Sequence, residues 1–385
     1  PHLDEIAKSS KIDYCYTIRE GVAPQSSSAV LSLLGYDPYA LPRGPIEALG
    51  AGVKITSGDL AFRTNFATID NLETMELLDR RAGRTLTTKE AKQLAKAINE
   101  KVKLPYKFEF YATVQHRGVL VIRGGFSDNI SNMDPAYGRG VALHASAQKL
   151  RLAKPLDDDE NSKLSAEIVN SFVRQSYEVL SKHPVNIKRA KKGLFAANVI
   201  LCRDAGNTPP KLKKLRGKWL ALAYLPLEIG IARAAGMDVK TFPYPKMRSI
   251  DVYSNLFAAL KKATKQAVKV LKKNKDKYDY FYIHLKETDV PGHDNKPHEK
   301  VKMIEMIDKR FFSFLKKFIV GGKLVLTADH TTACKLKAHT SDPVPVLIYP
   351  SPSKRKQGGR FTESDGRQGK KLIARKLLEE YLLSR

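Results

Sequence analysis

The chain has 385 residues, of which 42% are hydrophobic, and this is enough for two domains or for one large domain with an insertion. No stretch reaches the roughly 18 apolar residues of a membrane helix, and residues 1–10 lack the pattern of a signal peptide, so we expect no membrane association. The three cysteines, Cys15, Cys202 and Cys334, lie far apart and form no CxxC motif. They indicate a reduced, cytoplasmic protein without a disulfide framework.

The formal net charge of +27 has several interpretations. A basic surface is typical of nucleic-acid binding, of an enzyme for an anionic small substrate, or of a lysine-rich proteome. The lysines of residues 261–273 alternate with a clean apolar face, so we interpret most of the charge as solvated helix surface. No zinc-finger, RNA-recognition or helix-turn-helix signature occurs, and we expect no nucleic-acid partner. A catalytically inactive, basic, nucleic-acid-binding protein stays as an alternative.

The predicted elements of the first half begin with a helix and a small-residue turn around Ser26. Thr87 and Glu90 have the spacing of a capping box and predict the start of a further helix. In chain order, the expected helices cover residues 3–9, 45–50, a segment after Thr87, and 164–180, and the expected strands cover residues 60–68, 106–110 and 119–122. The composition changes near Gly58, and the segment that follows is interpreted as a compact α+β unit.

Strands and helices alternate in the second half. The expected helices cover residues 221–235, 256–272, 301–314 and 370–383, and the expected strands cover residues 238–242, 278–286, 323–327 and 344–349. This alternation predicts an α/β fold with a mostly parallel sheet flanked by helices.

Three short motifs carry residues suited to metal chemistry. Asp289 and His293 follow the strand over residues 278–286, Asp329 and His330 follow the strand over residues 323–327, and His339 precedes the strand over residues 344–349. Ligand sites of open α/β sheets lie at the carboxyl ends of the strands. Each histidine alone would more often be an ordinary surface or core residue.

Together the three motifs predict a metal site. Mixed carboxylate and imidazole ligands suit Zn²⁺ or Mn²⁺ better than Mg²⁺, and five ligands exceed what one four-coordinate ion requires. Two neighbouring ions can stabilise both the attacking and the leaving oxygen of a phosphoryl group. The motifs therefore predict a two-metal phosphoryl-transfer enzyme.

Seven stretches, found from near the start of the chain to about residue 350, carry a family resemblance. They are APQSSSAVLSLLGYDPY, RGPIEALGAG, GDLAFRTNFATI, DRRAGR, KETDVPGHD, TADHTTAC and AHTSDPVPVLI. The chain resembles the archaeal type of cofactor-independent (2,3-bisphosphoglycerate-independent) phosphoglycerate mutases of the alkaline phosphatase superfamily. The resemblance implies an alkaline-phosphatase-like, metal-binding core formed by residues 1–57 and 209–385. It also implies that residues 58–208 form an inserted α+β substrate-binding (transferase) domain.

The resemblance also implies the activity. The family interconverts 3-phosphoglycerate and 2-phosphoglycerate, in glycolysis and gluconeogenesis, through a phosphoserine intermediate. Two divalent ions, Mn²⁺ or Zn²⁺ with Mg²⁺ and Co²⁺ as alternatives, would be required, and 2,3-bisphosphoglycerate would not. The partner would be the small phosphoglycerate substrate, whereas the choice between monomer and homo-oligomer stays open. A metal-dependent phosphatase of the same superfamily, or a degenerate inactive relative, is the alternative.

Residue roles are also implied by the resemblance. Ser26 matches the nucleophile, and Asp79 matches a proton carrier. Asp289, His293 and His339 match the ligands of one metal, and Asp329, His330 and Ser26 match ligands of the second. Substrate contacts are implied for Arg80, Arg81, Arg84, His116, Arg117, Arg203 and Lys286.

The sequence departs from the family pattern in three places. The family begins with a strand that ends in an Asp-Gly pair, whose Asp ligates the second metal, and Pro1 to Asp4 already matches the helix that comes later. Pro243 to Arg248 stand where a Gly-rich loop is expected. Gln25 precedes the expected nucleophile, and Ser27 stands where an acidic residue usually follows it.

Overall fold

The computed structural model describes residues 1–137, 149–247, 249–351 and 359–384. We call residues 1–57 and 209–385 the first and last flanking segments, because they lie on either side of the predicted insertion in the sequence. The first flanking segment contains one strand and three helices. These are α1 (His2–Ala7), β1 (Lys11–Tyr16), α2 (Ser26–Leu33) and α3 (Arg43–Gly50). The two helices predicted here, over residues 3–9 and 45–50, are confirmed within a few residues.

The middle segment, residues 58–208, has an antiparallel sheet with helices packed on it. Its elements are β2 (Leu60–Ile69), β3 (Leu77–Asp79), α4 (Thr88–Lys101), β4 (Phe108–Ala112), β5 (Arg117–Ile122), α5 (Glu160–Ser181), α6 (Pro184–Lys191) and β6 (Val199–Gly206). β2 is central, since it pairs antiparallel with β3, β5 and β6, and β4 pairs with β5. β4 and β5, which pair antiparallel, confirm the strands predicted over residues 106–110 and 119–122 within two residues.

The capping box at the start of α4 is also confirmed. The Thr87 hydroxyl accepts a hydrogen bond from the Glu90 amide, and the Glu90 carboxylate accepts one from the Thr87 amide. The two bonds satisfy backbone donors that the first turn of a helix leaves without partners. They also fix the point at which the loop after β3 enters α4.

Among the described residues, the last flanking segment contributes strands to two larger sheets and forms one small two-stranded sheet. Its elements are β7 (Trp219–Leu222), α7 (Pro226–Ala234), β8 (Asp238–Lys240), α8 (Val252–Asn274), β9 (Tyr280–Ile283), α9 (Asp289–His293), α10 (Pro297–Ile307), α11 (Ser313–Phe318), β10 (Leu324–Leu326), β11 (Thr331–Ala333), β12 (Ala338–Thr340), β13 (Val344–Tyr349), α12 (Glu363–Gln368) and β14 (Lys371–Ile373). β8, β7 and β9 form a parallel sheet. The second sheet has the order β10-β13-β1-β14 and is mixed, because β13 runs antiparallel to both of its neighbours. The fold is therefore mixed α/β, and only one of these two sheets is parallel.

Two helix predictions were wrong in part. The helix expected over residues 221–235 begins only at Pro226, and Trp219–Leu222 forms the fully buried strand β7. A short apolar run has no periodicity that separates a buried strand from a helix. The helix expected over residues 370–383 is replaced by β14, which pairs parallel with β1, and by two irregular helical turns.

Helix α3, in the first flanking segment, packs against both the middle segment and the last flanking segment. A Cβ atom added to Gly230 of α7 would lie 1.9 Å from the carbonyl oxygen of Ile46, so α3 and α7 approach backbone to backbone. On another side of α3, a Cβ atom added to Gly44 would lie 2.2 Å from the carbonyl oxygen of Ala61 in β2. Only glycine permits such close approaches.

The buried apolar residues form several clusters. Among the described residues, one hydrophobic cluster draws its buried members from between Leu60 and Cys202, and others combine residues of the two flanking segments. A smaller cluster joins the first flanking segment to the middle one through Ala48, Val53, Ile55, Ala61, Val119 and Val121. The lysines 261, 265 and 269 lie on the exposed side of α8, opposite the buried Leu260 and Ala263. Among the described residues, no helix is both long and apolar enough to cross a bilayer.

Candidate metal centre and active site

The predicted metal-site residues lie together where the two sheets of the flanking segments meet. Asp289 and His293 are one turn apart on α9, which follows β9. Asp329 and His330 follow β10, and His339 lies on β12. These positions agree with the rule that α/β sheets place their ligand sites at the carboxyl ends of strands.

The first group of donor atoms surrounds Asp289. Nε2 of His293 lies 3.4 Å from Oδ1 of Asp289, and Nε2 of His339 lies 3.6 Å from the same oxygen. Atoms bound at about 2.1 Å to one tetrahedral ion are roughly 3.4 Å apart. These three side chains therefore have separations suited to a shared divalent cation.

A second group surrounds His330. Its Nε2 lies 3.2 Å from Oδ2 of Asp329 and 3.0 Å from Oγ of Ser26. Asp289, His330 and His339 also have donor atoms within 4.8 Å of one another, a grouping that stands alone among the described residues. His330 thus lies between the two groups, and the donor set is suited to two neighbouring cations.

In all three imidazoles, a hydrogen bond donated by Nδ1 orients the ring. Nδ1 of His339 donates to the carbonyl oxygen of Pro24 at 2.7 Å, and Nδ1 of His293 donates to that of Lys337 at 3.0 Å. A carbonyl oxygen can only accept, so both rings carry a proton on Nδ1 and direct Nε2 toward Asp289.

Thr332 orients the third ring. Its hydroxyl donates to Oδ1 of Asp289 at 2.7 Å, which leaves the hydroxyl oxygen to accept from Nδ1 of His330 at 3.0 Å. The Nε2 lone pair of His330 then faces Ser26 and Asp329. Thr332 therefore couples one ligand of each group.

Burial and charge set the protonation of the site. Burial lowers the pKa of His293 to about 4 and that of His330 to about 3, against the opposing carboxylates, so both rings are neutral at pH 7. Burial also opposes ionisation of Asp289, but a hydrogen bond with His339 and the nearby positive charge of Lys286 hold its pKa well below 3.8. The same bond raises the pKa of His339 against the effect of burial. Neutral imidazoles and ionised carboxylates are the forms that bind metals.

The serine predicted as the nucleophile lies at the edge of this cluster. Ser26 is the first residue of α2 and only 5% exposed. Its Oγ accepts a hydrogen bond of 2.6 Å from Nζ of Lys286, which lies 3.6 Å from Oδ2 of Asp329. Burial disfavours the charged lysine, but Asp329 and Asp289 outweigh it and raise its pKa. An ammonium group is thus held against the serine oxygen.

Five of the predicted substrate-contact residues line one cleft beside the cluster. They are Arg81, Arg84, His116, Arg117 and Lys286. Burial and the neighbouring Arg84 lower the pKa of Arg81 to about 10, which indicates an excess of positive charge. The pKa of the buried His116 is lowered by burial and by the nearby arginines, and its Nδ1 has no hydrogen-bond partner among the described residues.

Two other predicted contacts lie beside Tyr137. Arg203 places its guanidinium 3.7 Å from the centre of the Tyr137 ring, and Arg80 lies 5.1 Å away. Arg80 also makes a two-bond contact with Asp134, at 2.9 and 2.7 Å, and Arg203 donates to the side chain of Gln25. These arginines have partners within the protein and do not line the cleft of Arg81 and Arg84.

The carboxylate of Asp79 contacts backbone amides. Its Oδ1 accepts from the amides of Arg81 and Gly83, both at 2.7 Å. Arg84, in the same loop, contacts Asp294 of the last flanking segment with a charged hydrogen bond of 2.6 Å. The loop, which belongs to the middle segment, therefore also contacts the last flanking segment.

Sequence reasoning missed Thr332, Tyr137 and Asp294. A signal existed for Thr332, because it lies only two positions after His330 in the sequence. Asp294 directly follows His293, but its role as an arginine partner depends on a contact with residue 84, which is distant in sequence.

Sequence comparisons identify relatives along nearly the whole chain. A family model for 2,3-bisphosphoglycerate-independent phosphoglycerate mutase matches residues 7–186, and a model for the metalloenzyme superfamily matches residues 220–381. A 2,3-bisphosphoglycerate-independent phosphoglycerate mutase of Aeropyrum pernix is 40% identical over 368 residues, which cover 90% of this chain and 84% of that protein. The chain belongs to the 2,3-bisphosphoglycerate-independent phosphoglycerate mutase family.

Further members of this phosphoglycerate mutase family agree. Phosphoglycerate mutase 1 of Archaeoglobus fulgidus is 38% identical over 96% of this chain and 87% of its own length. The solved cofactor-independent phosphoglycerate mutase of Thermoplasma acidophilum aligns with a TM-score of 0.52 and 28% identity, over 100% of this chain and 91% of that one. A solved protein of Pyrococcus horikoshii aligns with a TM-score of 0.72 and 27% identity, over 99% and 88%. The resemblance predicted from the sequence is confirmed.

Proposed function

We propose that this chain interconverts 3-phosphoglycerate and 2-phosphoglycerate without 2,3-bisphosphoglycerate, as an isomerase. The names of its relatives support this activity. One observation carries the proposal: Oγ of Ser26 lies 3.0 Å from Nε2 of His330 and 2.6 Å from Nζ of Lys286, beside a cleft lined by arginines. A potential nucleophile, metal ligands and anion-binding groups are thus adjacent.

The proposal includes two divalent cations. Asp289, His293 and His339 would hold one, and Asp329, His330 and Ser26 would hold the other. Mixed nitrogen and oxygen donors favour Mn²⁺ or Zn²⁺, with Mg²⁺ and Co²⁺ as alternatives. Bound there, the cations would lower the pKa of the serine hydroxyl and offset the negative charge of the transferring phosphoryl group.

Ser26 is the proposed phosphoryl acceptor. Lys286 would donate to its oxygen and stabilise the alkoxide that attacks phosphorus. The glycerate oxygen leaves, and the phosphoserine that forms is then attacked by the other hydroxyl of the same glycerate. The position of Ser26 at the amino end of α2 also favours negative charge.

The arginine cleft would retain the glycerate between the two transfers. Guanidinium groups of Arg81, Arg84 and Arg117 suit carboxylate and phosphate oxygens. The unpartnered Nδ1 of His116 would pair with a substrate oxygen or hydroxyl. Asp79 remains our proposed proton carrier, and the transfer would use Oδ2, since Oδ1 already accepts from two amides.

Arg80 and Arg203 would act at the edge of this site, where both lie close to the ring of Tyr137. In this scheme residues 1–57 and 209–385 form the metal-binding core, and residues 58–208 form the inserted substrate-binding domain. The separate hydrophobic cluster of the middle segment supports that division. We place the protein in the cytoplasm, in keeping with three free cysteines and a glycolytic substrate.

Product analysis tests the proposal. The metal-loaded protein is incubated with 3-phosphoglycerate in the absence of 2,3-bisphosphoglycerate, and the products are separated. Formation of 2-phosphoglycerate supports the mutase. Release of free phosphate alone would assign the chain to the phosphatase alternative, and an absence of both products with metal bound would refute the proposal.

A further inference from the structure

The loop between β3 and α4 has an unusual backbone. We call residues 80–85, which carry Arg81 and Arg84 to the cleft, the arginine loop. Three consecutive residues of this loop, Ala82, Gly83 and Arg84, have positive φ angles of 47°, 65° and 54°. Two of the three are not glycine, and side chains with a Cβ atom rarely adopt this conformation. Such a backbone persists only where surrounding contacts determine it.

Arg189 of α6 supplies contacts of this kind to the loop. Its Nη2 donates to the Thr85 hydroxyl at 2.8 Å and to the carbonyl oxygen of Ala82 at 3.2 Å. Its Nη1 donates to the carbonyl oxygen of Thr85 at 3.1 Å, and its Nε donates to that of Phe195 at 2.9 Å. One guanidinium group therefore bonds Ala82, where the run of positive φ angles begins, and Thr85, which directly follows that run.

Arg189 does not act by contacting the cleft directly. Its side chain is 2% exposed, and its ion pair with Glu90, at 3.5 Å, lies on the α4 side. It does not line the cleft that holds Arg81, Arg84 and Lys286. Asp79 accepts from the amides of Arg81 and Gly83, so a carboxylate binds amides of the loop while a guanidinium group binds its carbonyls.

We propose that Arg189 is a positioning residue, which holds the arginine loop in the conformation that directs Arg81 and Arg84 into the substrate cleft. This inference rests on the proposed function, because the cleft is assigned to phosphoglycerate there. Lysine in place of Arg189 has a single charged head and cannot bond Ala82, Thr85 and Phe195 together. The loop would then relax, and the substrate would lose its anion-binding groups without any loss of metal ligands.

Steady-state kinetics of Arg189→Lys tests the inference. We expect the KM for 3-phosphoglycerate to rise at least about tenfold, with the metal content unchanged and a smaller change in kcat. Guanidinium ion added at non-denaturing concentration to Arg189→Ala should lower the raised KM, which a loss of folding alone would not allow. Arg174→Lys, at an exposed arginine on α5, is the matched control and should have the wild-type KM.

A milder variant covers the case in which Arg189→Lys does not fold. Thr85→Val removes one acceptor of the guanidinium group at nearly constant volume, and its KM should rise about threefold or more. An unchanged KM in the folded variants would overturn the inference. Equal losses in kcat, metal content and folding, with no guanidinium rescue, would overturn it in favour of a general structural role.

Hydrogen exchange separates this inference from the proposed function. The Gly83 amide, which donates to Asp79, should exchange at least about tenfold faster in Arg189→Lys than in the wild type. This readout does not require turnover. If the wild type fails to form 2-phosphoglycerate while the Gly83 amide still depends on Arg189, the function is wrong and the positioning role stands. If exchange at Gly83 is unaffected, the positioning role is wrong.

Discussion

Nζ of Lys286 donates a hydrogen bond of 2.6 Å to Oγ of Ser26, across 260 positions of sequence. The same ammonium group lies 3.6 Å from Oδ2 of Asp329, and burial leaves it little water. An ammonium group at this place stabilises a serine alkoxide more than a neutral serine. It is a hydrogen-bond donor only and does not ligate a metal. The contact therefore makes Lys286 part of the proposed transfer chemistry and separates its role from that of the ligands.

Replacement of Lys286 by methionine should reduce turnover without removing metal. We expect kcat to fall by about 10²-fold or more, since a preorganised charge beside a developing oxyanion is lost. Metal content is measured on the same preparation and should match the wild type. Lys302→Met, at a 61% exposed lysine of α10, is the control. An undiminished kcat in the Lys286 variant would remove the lysine from the mechanism.

Replacement of Ser26 by alanine should abolish transfer. We expect kcat to fall by at least about 10⁴-fold, because no other group replaces an activated nucleophile. The ions would keep their imidazole and carboxylate ligands, so metal content should stay near normal. Ser27→Ala, at the next residue of α2, should keep most activity. Full activity of the Ser26 variant, or loss only in the Ser27 variant, would reassign the nucleophile.

Thr332 offers a test of the ligand geometry that leaves every ligand in place. Thr332→Val removes the hydroxyl that links Nδ1 of His330 to Oδ1 of Asp289. We expect metal affinity to weaken by about 10- to 100-fold, as for other groups that orient ligands. Calorimetric titration with Mn²⁺ measures this effect, with Thr331→Val as the neighbouring control. Equal affinities for both variants and the wild type would contradict the proposed coupling.

The stability of the metal-free protein should fall in mild acid. The pKa of His293 is about 4 in the folded chain and about 6.5 when exposed, so the unfolded state binds its proton first. This contribution is present above pH 6.5 and is lost as the pH falls toward 4, by up to about 3 kcal/mol. His330 acts in the same direction, whereas the raised pKa of His339 acts in the opposite one.

Thermal unfolding in the presence of a chelator, at pH 7 and pH 5, measures this change. His293→Gln cannot take up the proton and should show a smaller decrease in Tm between the two pH values. A wild-type Tm that is the same at both pH values, or a variant as sensitive as the wild type, would contradict the assignment.

The sequence predicted that these carboxylates and imidazoles lie close together because its signals are local. Asp289 and His293 share a helical turn, and Asp329 and His330 directly follow a strand, so short motifs were sufficient. Thr87 and Glu90 likewise carry their capping function within three positions. The strand Val344–Tyr349 agrees with its prediction at both ends.

Features that depend on distant contacts could not be predicted. Trp219–Leu222 is a strand because β8 and β9 pair with it on either side, and its own apolar sequence would serve a helix equally well. Lys371–Ile373 pairs with β1, which lies at the other end of the chain. The contact of Arg189 with the arginine loop spans about a hundred positions and involves backbone carbonyls, which have no sequence signature.

Anomalous scattering from crystals grown with Mn²⁺ tests the central claim most directly. Two peaks are expected a few ångströms apart. One should lie within bonding distance of Asp289, His293 and His339, and the other within bonding distance of Asp329, His330 and Ser26. Well-ordered side chains at these positions without manganese beside them, or manganese bound with Ser26 turned away, would contradict the two-metal serine mechanism.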